Sequence, residues 1–400
     1  MNLSTPSGLS VLFVDDQPIL LKMLLSFLEI KAPDWRIQTA KDGPEALEVL
    51  EKETPEIVVS DMNMPGMDGM NLLQNVKQKH PSLIRFILSG QPGQGEILKS
   101  VGVAHQFLNK PVKMEELFHA LELSRSLYRR VQDPKLQEMI SNVGTLPTPR
   151  DVYFKISKML EDPELELGDI AQVISEDASI SAKILQLVNS AYFGFSSRMD
   201  SIADAVGTLG IENIRSLILI IGVSCTKNEE IEPFFDVGAF GRHSLEVGKL
   251  CRAIGKMKGL KGREIESVFT AGLLHDIGKL VIVDHHLDTY RERCFAKEQV
   301  EKPHLEVEES GFEKNKHPLV GAALLALWGM PAKVVNAVAY HHEPSETDSH
   351  LAAIVHLAES ITNAKHLRLD WEEYLDTDFV QSEVVEALDL GAEVQELMAG

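Results

Sequence analysis

VVSDMNMPGMDG, residues 58–69, ends an apolar run on an aspartate, Asp61, and follows it with a turn. Val58 and Val59 suit a buried strand, whereas a carboxylate at the edge of one is costly unless a cation or a reaction uses it. The flanking sequence supplies the setting. SVLFVDD (10–16), RIQTA (36–40), EIVVSD (56–61), RFILSG (85–90) and QFLNKP (106–111) read as five short strands, with helical patterns over 18–30, 43–53, 67–80, 93–102 and 113–131. Strict alternation predicts an α/β doubly wound five-stranded parallel sheet covered on both faces. Chemistry in such sheets gathers at the carboxyl ends of the strands.

From about residue 132 the strand signal stops. Helical periodicity occupies 151–161, 168–191, 200–224, 238–258, 262–283, 316–328, 331–341 and 348–365, punctuated by glycine and proline. The expected organisation is an α/β domain over 1–131, a linker over 132–145, an all-α domain over 146–365 and an acidic helical tail over 366–400. Apolar residues at 44% and charged residues at 25% describe an ordinary globular chain, and no apolar run is long enough to span a bilayer. Three scattered cysteines, Cys225, Cys251 and Cys294, and the absence of a secretory signal pattern fit a cytoplasmic location.

The net charge of −21 is unevenly shared. Residues 1–131 hold 14 Lys and Arg against 16 Asp and Glu, leaving −2; the remainder, with 25 against 44, carries −19. That field opposes phosphate neutralisation, so the helical region is a poor nucleic-acid binder. DAVGTLGIENIRSLIL (204–219) looks like a helix-turn-helix around Gly210, but it offers only Arg215 as a basic reader and suits core packing better. Leu324, Leu327 and Trp328 likewise read as a core stripe.

Asp15 and Asp16 follow the first strand and Asp61 the third, and these strands are neighbours in a doubly wound sheet. Clustered carboxylates repel one another unless a cation joins them, and oxygen-only donors suit Mg²⁺. Ser89 ends the fourth strand with a hydroxyl and Lys110 the fifth with an ammonium, followed by Pro111. A nucleophilic carboxylate, a divalent cation, a hydroxyl and an ammonium are what phosphoryl transfer to a carboxylate requires.

VDD at 14–16, DMNMPGMDG at 61–69, SG at 89–90 and KP at 110–111 closely resemble the receiver domain of two-component response regulators. The resemblance implies that Asp61 accepts a phosphoryl group from a sensor histidine kinase. It also implies that Asp15, Asp16, Asp61 and the Asn63 carbonyl hold Mg²⁺, that Ser89 and Lys110 sense the phosphate, and that Phe107 is the switch aromatic. Phosphorylation would then rearrange the face formed by the fourth helix, the fifth strand and the fifth helix.

The helical region places His243, His275-Asp276, His317 and His341-His342 within or at the ends of amphipathic helices, where several can converge on one metal. The order His243, HDIGK (275–279), HPLVG (317–321) and HHE (341–343) resembles the HD superfamily of metal-dependent phosphohydrolases. With LPTPRDVYFKISKML (146–160) and ISEDASISAKILQLVNSAYFG (174–194) it is similar to the HDOD domain, an HD-related output module. The resemblance implies a site for Fe, Mn or Zn built from His243, His275, Asp276, His317, His341, His342 and a late-helix carboxylate, with Lys279 placed to meet a phosphate. Two departures stand out. HHEPSETDSH lacks the Gly-Tyr-Pro signature of the cyclic di-GMP phosphodiesterases, and the late carboxylate is Glu359 where the superfamily has aspartate.

The expectation is thus a bacterial response regulator whose HDOD region signals to a downstream protein or a second copy of the chain. No membrane or nucleic-acid partner is expected. The alternative is a receiver-controlled phosphohydrolase.

Overall fold

The structure is a computed structural model that describes residues 8–90, 103–143, 146–160, 162, 165–189, 198–224, 231, 235–285, 316–375, 381, 388 and 390–399. The chain divides into two compact units, one formed mainly by the residues up to Gly144 and the other mainly by those after it.

The first unit is built on strands β1 (Ser10–Val14), β2 (Arg36–Ala40), β3 (Ile57–Asp61), β4 (Ile84–Ser89) and β5 (Gln106–Asn109), all parallel in the order β2-β1-β3-β4-β5. β3 and β4 are buried at every position, as strands covered on both faces must be, whereas edge strand β2 is largely half-exposed. Helices α1 (Pro18–Lys31), α2 (Gly43–Lys52), α3 (Gly69–Lys79) and α4 (Met114–Arg130) cover the sheet. The expected helix over 93–102 lies outside the described residues. Asp42 and Asp68 cap α2 and α3, each side chain accepting a backbone N–H in the first turn.

Residues 132–145 contain a further helix, α5 (Pro134–Asn142), belonging to the first unit. It is held by Arg85, a fully buried guanidinium that donates to the carbonyls of Val103 (2.7 Å), Leu83 (2.8 Å) and Ser141 (2.6 Å). His105 Nδ1 accepts from Arg85 N, which leaves its Nε2–H to donate to Ser141 O at 2.7 Å. Burial lowers the Arg85 pKa to about 10 and holds His105 well below its usual range.

The second unit is helical throughout its described part: α6 (Arg150–Met159), α7 (Leu167–Ile174), α8 (Ala178–Val188), α9 (Ile202–Ser224), α10 (Val237–Met257), α11 (Arg263–Leu274), α12 (Ile277–His285), α13 (Lys316–Leu327), α14 (Ala332–Ala339), α15 (His350–Leu367), α16 (Trp371–Leu375) and α17 (Gly391–Ala399). Gly210, at φ 73° and ψ 165°, breaks α9 between the buried Val206 and Ile214, as a core-packing turn would. Leu324, Leu327 and Trp328 are buried. Among the described residues no helix is long and apolar enough to cross a membrane.

Two expected helices are each split. The 168–191 pattern breaks at Ser175–Asp177, where Asp177 accepts the Ile180 N–H at 2.7 Å and starts α8. Asp177 is 2% exposed, and burial raises its pKa to about 7. An acid whose pKa is higher folded than unfolded is easiest to bury protonated, so its stability contribution falls as pH rises from about 4 to about 7. Asp177→Asn keeps the cap and removes the buried charge. The asparagine variant should therefore gain on wild type across that window and level off above it, by on the order of 4 kcal/mol. Thermal unfolding at pH 5 and pH 8 checks this; a difference independent of pH would refute it.

Candidate functional site

β3 lies between β1 and β4, so the acids after β1 and the acid ending β3 meet at one edge. Asp15, Asp16 and Asp61 each offer an oxygen within 4.8 Å of the others. Asp15 and Asp61 are buried and Asp16 is exposed, so the cluster opens on one side. Lys110, just past β5, places Nζ 2.7 Å from Asp15 Oδ2 and 2.8 Å from Asp61 Oδ2. Burial raises the Asp61 pKa against the pull of Lys110 and the Asn63 main-chain N–H. Burial opposes the Lys110 charge, but Asp15 and Asp61 outweigh it and raise its pKa.

Ser89 is buried, and its Oγ has no hydrogen-bond partner among the described residues. A buried hydroxyl without a partner is costly and points to a ligand oxygen as its missing acceptor. Phe107, on β5, is buried, and Asn63 is exposed. Asp68-Gly69 of the opening motif proves structural: Asp68 caps α3, and a Cβ on Gly69 would lie 2.0 Å from the Asp61 carbonyl oxygen. The three carboxylates form the hard oxygen donor set that Mg²⁺ takes.

The second constellation draws on six elements. His243 comes from α10, His275 caps α11, and Asp276 occupies the break before α12, which carries Lys279. His317 lies in the first turn of α13, His341 and His342 follow α14, and Glu359 sits mid-way along α15. All eight converge. His243, His275, Asp276 and Glu359 form one group of ligand atoms within 4.8 Å, and His317, His341 and His342 form another. Asp276 links them: Oδ2 lies 3.2 Å from His275 Nε2, and Oδ1 lies 3.0 Å from His317 Nε2. Lys279 Nζ is 2.8 Å from Asp276 Oδ2.

The hydrogen bonds behind the ligands orient them. His275 Nδ1 donates to Gly272 O and His341 Nδ1 to Val338 O, each at 2.7 Å, which turns both Nε2 atoms inward. His317 Nε2 faces both His341 Nε2 and His342 Nε2 at 3.3 Å. Both His243 nitrogens and His275 Nε2 are buried without a hydrogen-bond partner. Burial, reinforced by neighbouring imidazoles, holds His243, His341 and His342 well below the usual histidine range, in the neutral form that ligates metal. Burial opposes a charged His275, but Asp276 and Glu359 prevail and raise its pKa. Burial lifts Glu359 to about 7. Orphaned buried nitrogens beside two carboxylates are the donor set of a borderline transition metal such as Fe, Mn or Zn.

Close backbone approach makes this convergence possible. A Cβ on Gly278 would lie 2.1 Å from His317 O and 2.7 Å from Gly321 N, both main-chain atoms. The glycines of HDIGK and HPLVG thus let α12 reach α13. Gly278→Ala should destabilise the helical unit by about 1–3 kcal/mol and push His317 away from Asp276. Thermal unfolding with metal titration tests this; an unchanged midpoint would refute it.

One supporting residue escapes sequence reasoning. His356 is buried, donates Nδ1–H to His341 O at 2.8 Å and accepts Gln381 N–H at Nε2 at 3.0 Å, so it fixes the HHE turn. Its place one turn before Glu359, on the same helix face, was the available signal.

The family model of the response regulator receiver domain matches residues 11–122, and that of the HDOD domain matches residues 146–344. An uncharacterized protein of Treponema pallidum (strain Nichols) is 24% identical over 255 residues, which are 62% of this chain and 47%, under half, of that protein's length. The DNA-binding transcriptional regulator NtrC of Escherichia coli (strain K12) is 25% identical over 326 residues, 72% of this chain and 68% of NtrC. The crystal structure of the MmoQ response regulator from Methylococcus capsulatus str. Bath aligns with 64% of this chain and 98% of its own, at 22% identity and a TM-score of 0.49. With the sheet, its acidic edge and the helical unit in place, the chain is a response regulator in which a receiver domain is followed by an HDOD domain.

Proposed function

We propose that this response regulator is phosphorylated on Asp61 by a sensor histidine kinase and passes the change through its HDOD domain to a protein partner. The observation that carries the reading is Asp61 at the end of β3, paired to Lys110 at 2.8 Å and flanked by Asp15, Asp16 and the unpartnered Ser89 hydroxyl. An Asp61 oxygen attacks phosphorus, and the bond from phosphorus to the donor breaks. Asp15, Asp16, Asp61 and the Asn63 carbonyl would hold Mg²⁺, which neutralises the phosphoryl oxygens when bound. Lys110 shifts from the carboxylate it now meets to a phosphoryl oxygen, and Ser89 donates to another. Those moves alter the carboxyl ends of β4 and of β5, the strand that carries Phe107, and so bias the face beside α4. Incubation of the full chain with acetyl phosphate and Mg²⁺ tests the reading: a phosphoryl adduct on Asp61 supports it, and an unchanged intact mass defeats it.

A second reading makes the HDOD domain a metal-dependent phosphohydrolase. Its support is the convergence of seven ligands, with orphaned nitrogens on His243 and His275. A bound transition metal would lower the pKa of a water into the range of a nucleophile. The chain's own part is to hold the neutral imidazoles, orient them through Gly272 O and Val338 O, and keep Lys279 near the anionic substrate. Retained metal in the purified protein, with hydrolysis of a phosphodiester lost on His275→Ala, would favour this reading; metal-free protein that still signals would remove it.

A further inference from the structure

Phosphoryl chemistry at Asp61 acts on one end of β4 and β5, and the other end of the same two strands holds a helix. Ser89 closes β4, and Lys110 follows β5 beside Asp61. Arg85 lies four residues before Ser89, and His105 immediately precedes β5. At about 3.3 Å per residue, the two ends of β4 are roughly 13 Å apart. The strands stay in register from Phe86 and Gln106 to Ser89 and Asn109, and the His105 N–H donates to Arg85 O at 2.8 Å.

The buried Arg85 guanidinium donates to the main-chain carbonyls of Pro81, Leu83, Val103 and Ser141. His105 completes the grip: its Nδ1 accepts the Arg85 N–H at 2.9 Å, and its Nε2–H donates to the same Ser141 carbonyl at 2.7 Å. One residue of β4 and one at the start of β5 therefore converge on a single oxygen of α5. The helix is fastened elsewhere too. Gln137 Nε2 donates to Val131 O at 2.7 Å and to Tyr128 O at 3.0 Å, which caps the end of α4, and Leu136 and Ile140 are buried. α5 is also the last element of the first unit before the chain enters the second at Thr145.

A buried cation held by carbonyl dipoles is sensitive to position, because a donor that loses its acceptor there bears the full desolvation cost. Every bond of the grip is made in the unphosphorylated chain, so a slide of β4 against β5 can only weaken it. We propose that α5 is a latch worked from the far end of the sheet: phosphorylation of Asp61 draws Ser89 and Lys110 toward the phosphoryl oxygens, shifts β4 against β5, and loosens α5. This rests on the phosphoacceptor reading and adds a route that leaves by the amino-terminal edge of the sheet, apart from the face beside α4. By linkage, a change that loosens α5 must favour the phosphorylated form.

The probe is beryllofluoride with Mg²⁺, a reversible stand-in for the phosphoryl group on a carboxylate, added to the full-length protein. Calorimetric titration gives its affinity, and hydrogen–deuterium exchange read by mass spectrometry follows α5. Binding should speed exchange in α5 by roughly 5–150-fold. His105→Asn keeps an acceptor for the Arg85 N–H but withdraws the donor to Ser141 O. Gln137→Ala withdraws both bonds to the end of α4 and carries the test if the asparagine variant misfolds. Each should speed α5 exchange without the probe and tighten probe binding by roughly 5-fold or more. A wild type that binds the probe with α5 exchange unchanged or slowed, or folded variants that bind it no more tightly than wild type, overturns the latch and leaves the phosphoacceptor standing. A wild type that binds no beryllofluoride overturns both.

Discussion

Full-length protein carrying Asp61→Asn should take up no phosphoryl group from acetyl phosphate and Mg²⁺ under conditions that modify the wild type. The amide oxygen is a poor nucleophile, and Asp15, the neighbouring buried carboxylate, is held by Lys110 at 2.7 Å and by the Gln17 N–H at 2.9 Å. The loss should therefore be complete, with no transfer to the neighbour. Folding should survive. Asparagine matches the volume of aspartate, Lys110 keeps its contact with Asp15, and removing one of three clustered carboxylates relieves repulsion. Intact mass spectrometry and thermal unfolding separate the two effects. An adduct that persists in Asp61→Asn would place the acceptor elsewhere.

Asp276→Ala should be the most damaging single change in the helical unit. It removes the carboxylate that Lys279 meets at 2.8 Å in a buried setting, and breaking a buried pair from one side costs about 3–5 kcal/mol. It also removes the carboxylate that, against burial, does most to raise the His275 pKa. Because Asp276 touches both ligand groups, metal affinity should fall by at least roughly 100-fold at each. Asp276→Asn keeps the shape and should cost less stability while still losing metal. Denaturant titration with metal analysis checks both, and an alanine variant as stable and as metal-loaded as wild type would contradict the assignment.

The sheet and its acidic edge were legible because each strand is a short apolar run closed by a turn signal, and a doubly wound sheet makes the first and third strands neighbours. The helical unit was legible in class but not in its breaks. At Ser175–Asp177 and at His275–Asp276 the apolar periodicity runs straight through, and His275 keeps helical dihedrals of φ −53° and ψ −40°. The second break is explained only by a partner 39 residues away, where the Gly278 backbone meets His317. Resemblance alone grouped the metal-site residues, since spacing between residues 243 and 359 carries no distance. The support from His356 depends on helix packing, which no local pattern encodes.

Arg85 bears on how the receiver can be studied apart from the rest of the chain. A fragment ending at residue 131 would retain every phosphoacceptor residue, yet it would lose the Ser141 carbonyl that caps both the guanidinium and His105. The cation would then face water through a hole at the amino-terminal edge of β4 and β5, on the side of the sheet away from Asp61. Such a fragment should breathe there and exchange its amides faster, so its phosphorylation lifetime would describe a looser molecule than the native one. Extending the fragment to residue 143 closes that hole.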